Sequence, residues 1–280
     1  MSIGRRGQTG TTYATVAMPA GSVGQTAISN VPKPSGAAVG DLVIVYARYD
    51  INGAGAGSAD LIPSTGWTNA GGSFQGGAGF SGSTNDYGDT LFWRQLTGGA
   101  QDTLTISINQ FGSGSPWIAS VATTSVAYRE SIPGRTWVRY AGGTYSGNVS
   151  VTGNPYGPSP IPAGNGAVIF ACAHSRAGVY FSTPVPSVPP VMLVPEGFVE
   201  RYRDVNTAAI AESGAWADRI FGYSASARSV PCPQWSVGNA QTSLAWSYGW
   251  QSWNTFTTVT DPPGPNPWGY NLSFGQRSGL

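Results

Sequence analysis

Apolar residues in this 280-residue chain recur at every second position, in short runs closed by Gly, Pro, Asn or Ser, and almost nowhere at the three-to-four-residue spacing of a helix. The cleanest run is 102–108. There Leu104, Ile106 and Ile108 share one face and Thr103, Thr105 and Ser107 the other, as in a strand with one wet side. Residues 144–152 alternate similarly, with Tyr145, Val149 and Val151 opposite Ser146, Asn148 and Ser150. Two runs, 41–49 and 166–173, are apolar on both faces and predict central strands. Further strands are predicted over 11–17, 90–96, 117–128, 198–203, 242–250 and 256–260. Ten or more short antiparallel strands with little or no helix make an all-β chain of the β-sandwich or jelly-roll type. Only 205–216, with Ala208, Ala209, Ile210, Ala211 and Glu212, suits a helical turn as well as a short strand.

Composition sharpens this reading. The chain holds 40 Gly and 21 Pro, about a fifth of its residues against a usual share of roughly 12%. It also holds 10 Trp, 13 Tyr and 10 Phe, large side chains that drive collapse and that disordered chains lack. The glycines and prolines therefore serve turns between strands. Charge is sparse and balanced, with 14 Lys+Arg against 13 Asp+Glu. No basic stripe exists to hold phosphate, so nucleic acid is excluded as a main partner. Lys33 is the single lysine among those cations, a bias that base composition alone could produce. No apolar run is long enough to cross a membrane as a helix, and Arg5-Arg6 is followed by no apolar core of a signal peptide. The sequons at Asn148 and Asn271 are chance matches in an Asn- and Ser-rich chain.

The organisation expected is a flexible N-terminal arm over 1–10, a single β-sandwich domain over 11–260 and an extended Pro-rich arm over 261–280. Lys33-Pro34-Ser35-Gly36 leading into 41–46 is echoed by Ile161-Pro162-Ala163-Gly164 leading into 166–170. That echo is consistent with two pseudo-repeated halves, 11–130 and 131–260, or with convergence on one turn-plus-strand pattern. The glycine runs 51–58 and 71–79 read as long surface loops. The C-terminal arm cannot fold on itself, so Trp268 and Tyr270 are expected to dock on this domain or on a neighbouring subunit.

Candidate chemistry is thin. His174 is the only histidine, so a Ser/His/acid triad has one possible base, and alternation sets it on the same strand face as Cys172. With Cys232 as the sole other thiol, neither a four-ligand zinc site nor a disulfide framework follows, and no cofactor is expected. The carboxylate pairs Asp86/Asp89, Glu196/Glu200 and Glu212/Asp218 are the candidates for glycosidase-like acid catalysis, but none carries a distinguishing context. The chain is therefore expected not to be an enzyme. The aromatic ladder of 242–250 is more suggestive. Leu244, Trp246, Tyr248 and Trp250 share one face, either packing against an opposite sheet or, with Trp253, Trp235 and Gln251, forming a stacking platform for a glycan.

Several of these elements occur together in a recurring pattern. Lys33-Pro34-Ser35-Gly36 and Gly40-Asp41 before an apolar strand, Pro63-Ser64-Thr65-Gly66-Trp67, the aromatic strand 91–97 and Thr103-Leu104-Thr105-Ile106 are followed by Gly164-Asn165-Gly166 and Pro195-Glu196-Gly197-Phe198. The set resembles the minor tail and other virion structural proteins of tailed phages over about residues 30–250, with Arg94 where the pattern usually has Lys. The resemblance implies a noncatalytic β-sandwich carried on a virion and made in the host cytoplasm. Its partners would be other virion proteins, itself and a host-surface glycan. It transfers no functional residues, because the matching positions are turns and core. Asp41 would cap the turn before its strand and Trp67 would pack in the core. Capsid decoration, a carbohydrate-binding module and, last, a polysaccharide hydrolase are the alternative readings.

Overall fold

A computed structural model describes residues 2–52, 61–75, 85–111, 116–132, 135–147, 161–176, 191–206, 212–229, 235–238 and 242–254. These form sixteen strands, every described pairing between them antiparallel, and one 3-10 turn over Ala100–Asp102. The all-β expectation holds. In chain order the first half contains β1 (Ile3–Gln8), β2 (Thr12–Met18), β3 (Val23–Val31), β4 (Leu42–Asn52), β5 (Leu61–Pro63), β6 (Thr68–Gln75), β7 (Asn85–Gln95), β8 (Leu104–Phe111) and β9 (Trp117–Glu130). The second contains β10 (Arg135–Gly147), β11 (Gly166–Arg176), β12 (Val191–Leu193), β13 (Val199–Asn206), β14 (Glu212–Phe221), β15 (Ser236–Gly238) and β16 (Thr242–Asn254).

The sheets form layers. In the first half β1 and β2 lie end to end along β9, giving the order β1/β2-β9-β4-β7-β6, while β3-β8-β5 forms a separate three-stranded sheet. The second half gives β10-β16-β11-β14-β13, with β12 and β15 paired on their own. The two runs apolar on both faces are β4 and β11, and each sits in the middle of its sheet. Val43, Val45 and Ala47 of β4 meet Leu104, Ile106 and Ile108 of β8 in one outer core. Leu42, Ile44 and Tyr46 face Val168, Phe170 and Cys172 of β11 in the middle core. Ala167, Ile169 and Ala171 pack with Phe198 and Trp235 in the other outer core. One phase of each central strand thus feeds one core and the alternate phase another.

The halves share a connectivity. In each, the last strand (β9 or β16) inserts between the first (β1/β2 or β10) and the doubly apolar one (β4 or β11), and β7-β6 or β14-β13 continues the sheet on the far side. In each, a short strand (β5 or β12) leads through a Pro and Gly turn into the edge strand, and pairs with β8 or β15. Trp67 N–H closes the first of those turns on Ser64 O at 3.2 Å, and Phe198 N–H closes the second on Pro195 O at 3.1 Å. Gly66 and Gly197 adopt φ of 89° and 76°, as the third position of a type II turn requires. Both turns bury the next aromatic, Trp67 and Phe198.

Other expectations change. Residues assigned to a flexible N-terminal arm include β1, whose Ile3 is buried and touches the position where a Cβ on Gly166 would sit. The glycine runs are not all loop, since Ile51 and Asn52 end β4, and Gly71–Gln75 belongs to β6 and pairs with β7 through a bulge after Asn69, while 53–58 and 76–79 lie outside the described residues. Of residues 205–216, Val205 and Asn206 end β13 and 212–216 begin β14, while Ala208, Ala209, Ile210 and Ala211 lie outside the described residues. The predicted strand 256–260 and the arm 261–280 lie outside the described residues.

Arg94 and Asp102 brace the first turn. Arg94 Nε donates to Asp102 Oδ1 at 2.9 Å and its Nη1 to Gly66 O at 2.6 Å, while Trp67 Nε1 donates to Gln101 O. Asp102 also accepts the N–H groups of Thr97 and Gly98. Burial pushes its carboxyl pKa up, but the Thr97, Arg94 and Gly98 hydrogen bonds outweigh that and hold it below the usual value. That stabilisation is present above the unfolded aspartate value of about 3.9 and is lost as pH falls through the lower folded value. Urea titrations at neutral and strongly acidic pH should therefore show a smaller acid-induced loss of stability in Asp102→Asn than in the unsubstituted chain. Gly66→Ala and Gly197→Ala should each cost more than about 1 kcal/mol, because φ is positive and a Cβ would meet Arg94 or Arg219. Gly222→Ala, with open space around its Cβ position, should be near neutral in the same titration.

Candidate functional site

A set of buried titratable groups lies where the two large sheets face each other. Tyr46 of β4 donates to Asp89 Oδ2 of β7 at 3.1 Å, and both are almost fully buried. Arg48 stands opposite Asp89 in the β4 and β7 register and is 4% exposed. Room for it comes from the facing sheet, since a Cβ on Gly214 would lie 3.0 Å from Arg48 Cδ and 3.2 Å from Tyr46 Oη. The Tyr202 ring approaches Tyr46 at 5.4 Å between centroids. A second set ties the halves directly. Tyr128 of β9 donates to Asp218 of β14, whose other oxygen accepts from Arg201 Nε at 2.8 Å. Gln8 donates to Arg201 O at 2.7 Å, Gln95 bonds both Arg135 O and Trp137 N–H, and Tyr223 donates to Glu130.

Burial comes first in shifting these groups. It raises the Tyr46 hydroxyl well above its ordinary pKa, with Asp89 adding to the effect, and does the same for Tyr128 beside Asp218. The Cys172 thiol is raised by burial and then by Asp89, so it is a protonated, enclosed thiol rather than a nucleophile. These are the properties of a polar clasp closed to solvent.

The sequence-level candidates are dispersed. Glu212 and Asp218 lie six residues apart on β14, about 20 Å, beyond the ~9.5 Å that paired glycosidase acids span. Asp86 and Asp89 occupy opposite phases of β7. Glu196 sits in the exposed turn before β13, whereas Glu200 on that strand bonds Arg203. His174 pairs in register with Gly214 and Leu244. Among the described residues no group of three or more His, Cys, Asp or Glu could hold a metal ion. Trp246, Tyr248 and Trp250 occupy a central strand, in register with Cys172, Phe170 and Val168 of the middle core, and Trp253 pairs with Thr136. The side chains of these aromatics, and Cys232, Trp268 and Tyr270 altogether, lie outside the described residues.

No family model, curated protein or solved structure matches this chain.

Sequence reasoning missed the Tyr128, Asp218 and Arg201 set. The available signal was phase: Asp218 alternates with Gly214 and Trp216, so an acid sat on an inward face. It also missed the surface just beyond the clasp. Past buried Ala122, the same face of β9 and β2 emerges at Ser120, Ile118, Thr15 and Tyr13, the last 67% exposed, with Thr15 and Ser120 hydroxyls 3.2 Å apart.

Asp218→Ala should cost about 3 kcal/mol or more in urea unfolding, because it leaves the Arg201 charge and the Tyr128 hydroxyl without their buried acceptor. Tyr128→Phe, which spares the ion pair, should cost about 1 kcal/mol. With folded pKa values raised, the clasp tyrosines favour folding below the unfolded tyrosine value of about 10 and lose that contribution as pH rises beyond it. Tyrosinate absorbance should therefore show two classes, the buried pair ionising only with alkaline unfolding.

Proposed function

We propose that this protein is a noncatalytic structural component of a tailed-phage particle, carried at the tail rather than on the head. The observation that carries the reading is what the motif residues do. The Pro-x-Gly and Gly-Asp elements and the two Pro- and Gly-containing turns before an aromatic, which resemble virion proteins, are all turns or caps of a frame whose connectivity recurs in both halves. Asp41 accepts the Ala38 N–H at 2.8 Å and both Nε and Nη2 of Arg129, and Trp67 is a core residue, as the resemblance implies.

Five of the described acids point the same way. Asp41, Asp102 and Asp218 are buried in ion pairs with Arg129, Arg94 and Arg201. Glu130 and Glu200 are engaged with Tyr223 and Arg203. Carboxylates committed to holding turns and sheets together suit a rigid building block, whereas an acid catalyst needs a carboxylate open to substrate.

Purified tailed particles that encode this chain should contain it in fixed copy number, and labelling by electron microscopy should place it on the tail. Label on the head shell would instead select a decoration protein. Particles complete and infectious without the chain would sink the structural reading.

A further inference from the structure

Open sheets need their edges guarded, and most outer strands here are guarded by a recognisable device. Edge β13 carries Glu200, Arg201, Arg203 and Asp204 and a bulge after Glu200. Arg135 and Arg139 mark β10, which is bulged after Arg139. Arg5 and Arg6 mark β1, bulged after Arg5. A bulge interrupts β6, whose Ala70 carbonyl is taken by Arg139. β3 is bulged after Ala27, and β5, β12 and β15 are three residues long. β2 has none of these devices. Its seven residues, Thr-Tyr-Ala-Thr-Val-Ala-Met, carry no charge, Gly or Pro, and pair with β9 without a register shift from Thr12 opposite Thr123 to Met18 opposite Trp117. Among the described residues no strand pairs along its other side.

We infer that β2 is a self-association edge, pairing antiparallel with β2 of a second copy about a two-fold axis at Thr15. The occupant follows from the strand's own sequence. Centred on Thr15, the pairing sets Tyr13 opposite Ala17 of the second copy on one face, and Thr12 opposite Met18 and Ala14 opposite Val16 on the other. Every large side chain then meets a small one, and each copy's exposed Tyr13 covers its partner's exposed Ala17. Such a contact is isologous and closes at two copies. It joins the two six-stranded sheets into one of twelve strands and continues the face that already packs half against half. A charged or bulky partner strand would forfeit the fit, whereas a second copy supplies it without further design. Seven residues make a small interface at the transient end of the size range, so dissociation on dilution is expected. The inference does not depend on where the chain resides.

Sedimentation velocity on the full chain, from about 1 to about 100 µM, tests it. The unsubstituted chain should pass from monomer to dimer across that range. Thr15→Lys and Thr15→Glu each set like charges opposite one another on the axis and should raise the midpoint at least tenfold. A one-to-one mixture of the two should regain the dimer, because residue 15 then faces its opposite charge. Should either variant fail to fold by circular dichroism, hydrogen exchange on the unsubstituted chain decides instead: amides of Thr12–Met18 should slow as concentration rises. A chain monomeric at about 100 µM, a dimer indifferent to both charges, or exchange at β2 independent of concentration overturns the inference.

Discussion

Everything in this architecture depends on two strands that are apolar on both faces. β4 and β11 each place alternate residues into two different cores, with Leu42 to Ala47 and Ala167 to Cys172 essentially without exposure. A strand of that kind cannot lie on a surface, because each exposed Leu, Ile or Val would forgo roughly 1.5–3 kcal/mol of burial. It must be flanked on both sides in its own sheet and covered above and below. The remaining elements meet those four demands. β9 and β7 flank β4, and β8 with its neighbours covers one face. The second sheet covers the other, and β16, β14 and the β12 and β15 ladder repeat the solution around β11.

Because both halves solve the same problem in the same chain order, the middle layer behaves like an interface between two subunits held on one chain. Reciprocity is visible in the bonds: β1 reaches β13 through Gln8 and Arg201, while the equivalent strand β10 reaches β7 and β6 through Gln95 and Arg139. An isologous contact of this kind uses corresponding surfaces twice. Its polar groups also explain how register is fixed between two apolar sheets that could otherwise slide. Asp218 has one position in which it satisfies both Tyr128 and Arg201, and any slip would strand it in the core.

The layers were legible in sequence wherever period two was strong. Residues 102–108 mark β8 with the correct face, the unbroken apolar runs 41–49 and 166–173 mark β4 and β11 as buried on both faces, and 117–128 marks β9 as a strand. Strands such as β6, with Gly71 and Gly72, and β1, with Gly4 and Gly7, were hidden because glycine erases alternation, and only a neighbour's ladder defines them. The halves were hinted at by Pro34 to Gly36 and Pro162 to Gly164, yet their equivalence rests on strand order, which no local pattern encodes. The clasp was less legible still. Partners such as Tyr128 and Asp218 are 90 positions apart, and sequence alone shows only that an acid occupies an inward phase.

The arginine bias then acquires a physical role that base composition does not supply. Glycine and proline turns have no side chains with which to anchor themselves, so their carbonyls need donors from elsewhere. Arg94 donates to Gly66 O, Arg129 to Gly36 O at 3.4 Å, Arg135 to Gly164 O at 3.1 Å, and Arg228 to Gly222 O and Asn165 O. In the first two cases the same guanidinium also grips an aspartate, Asp102 or Asp41, through a second nitrogen. A planar fork with five donors can bridge a carboxylate and a carbonyl at fixed angles, whereas a lysine ammonium on a flexible stem would hold one and leave the other loose. A chain that builds its connections from Gly and Pro therefore has reason to take its few cations as arginine. Its scarcity of charge and its wealth of turn residues are in that sense one design.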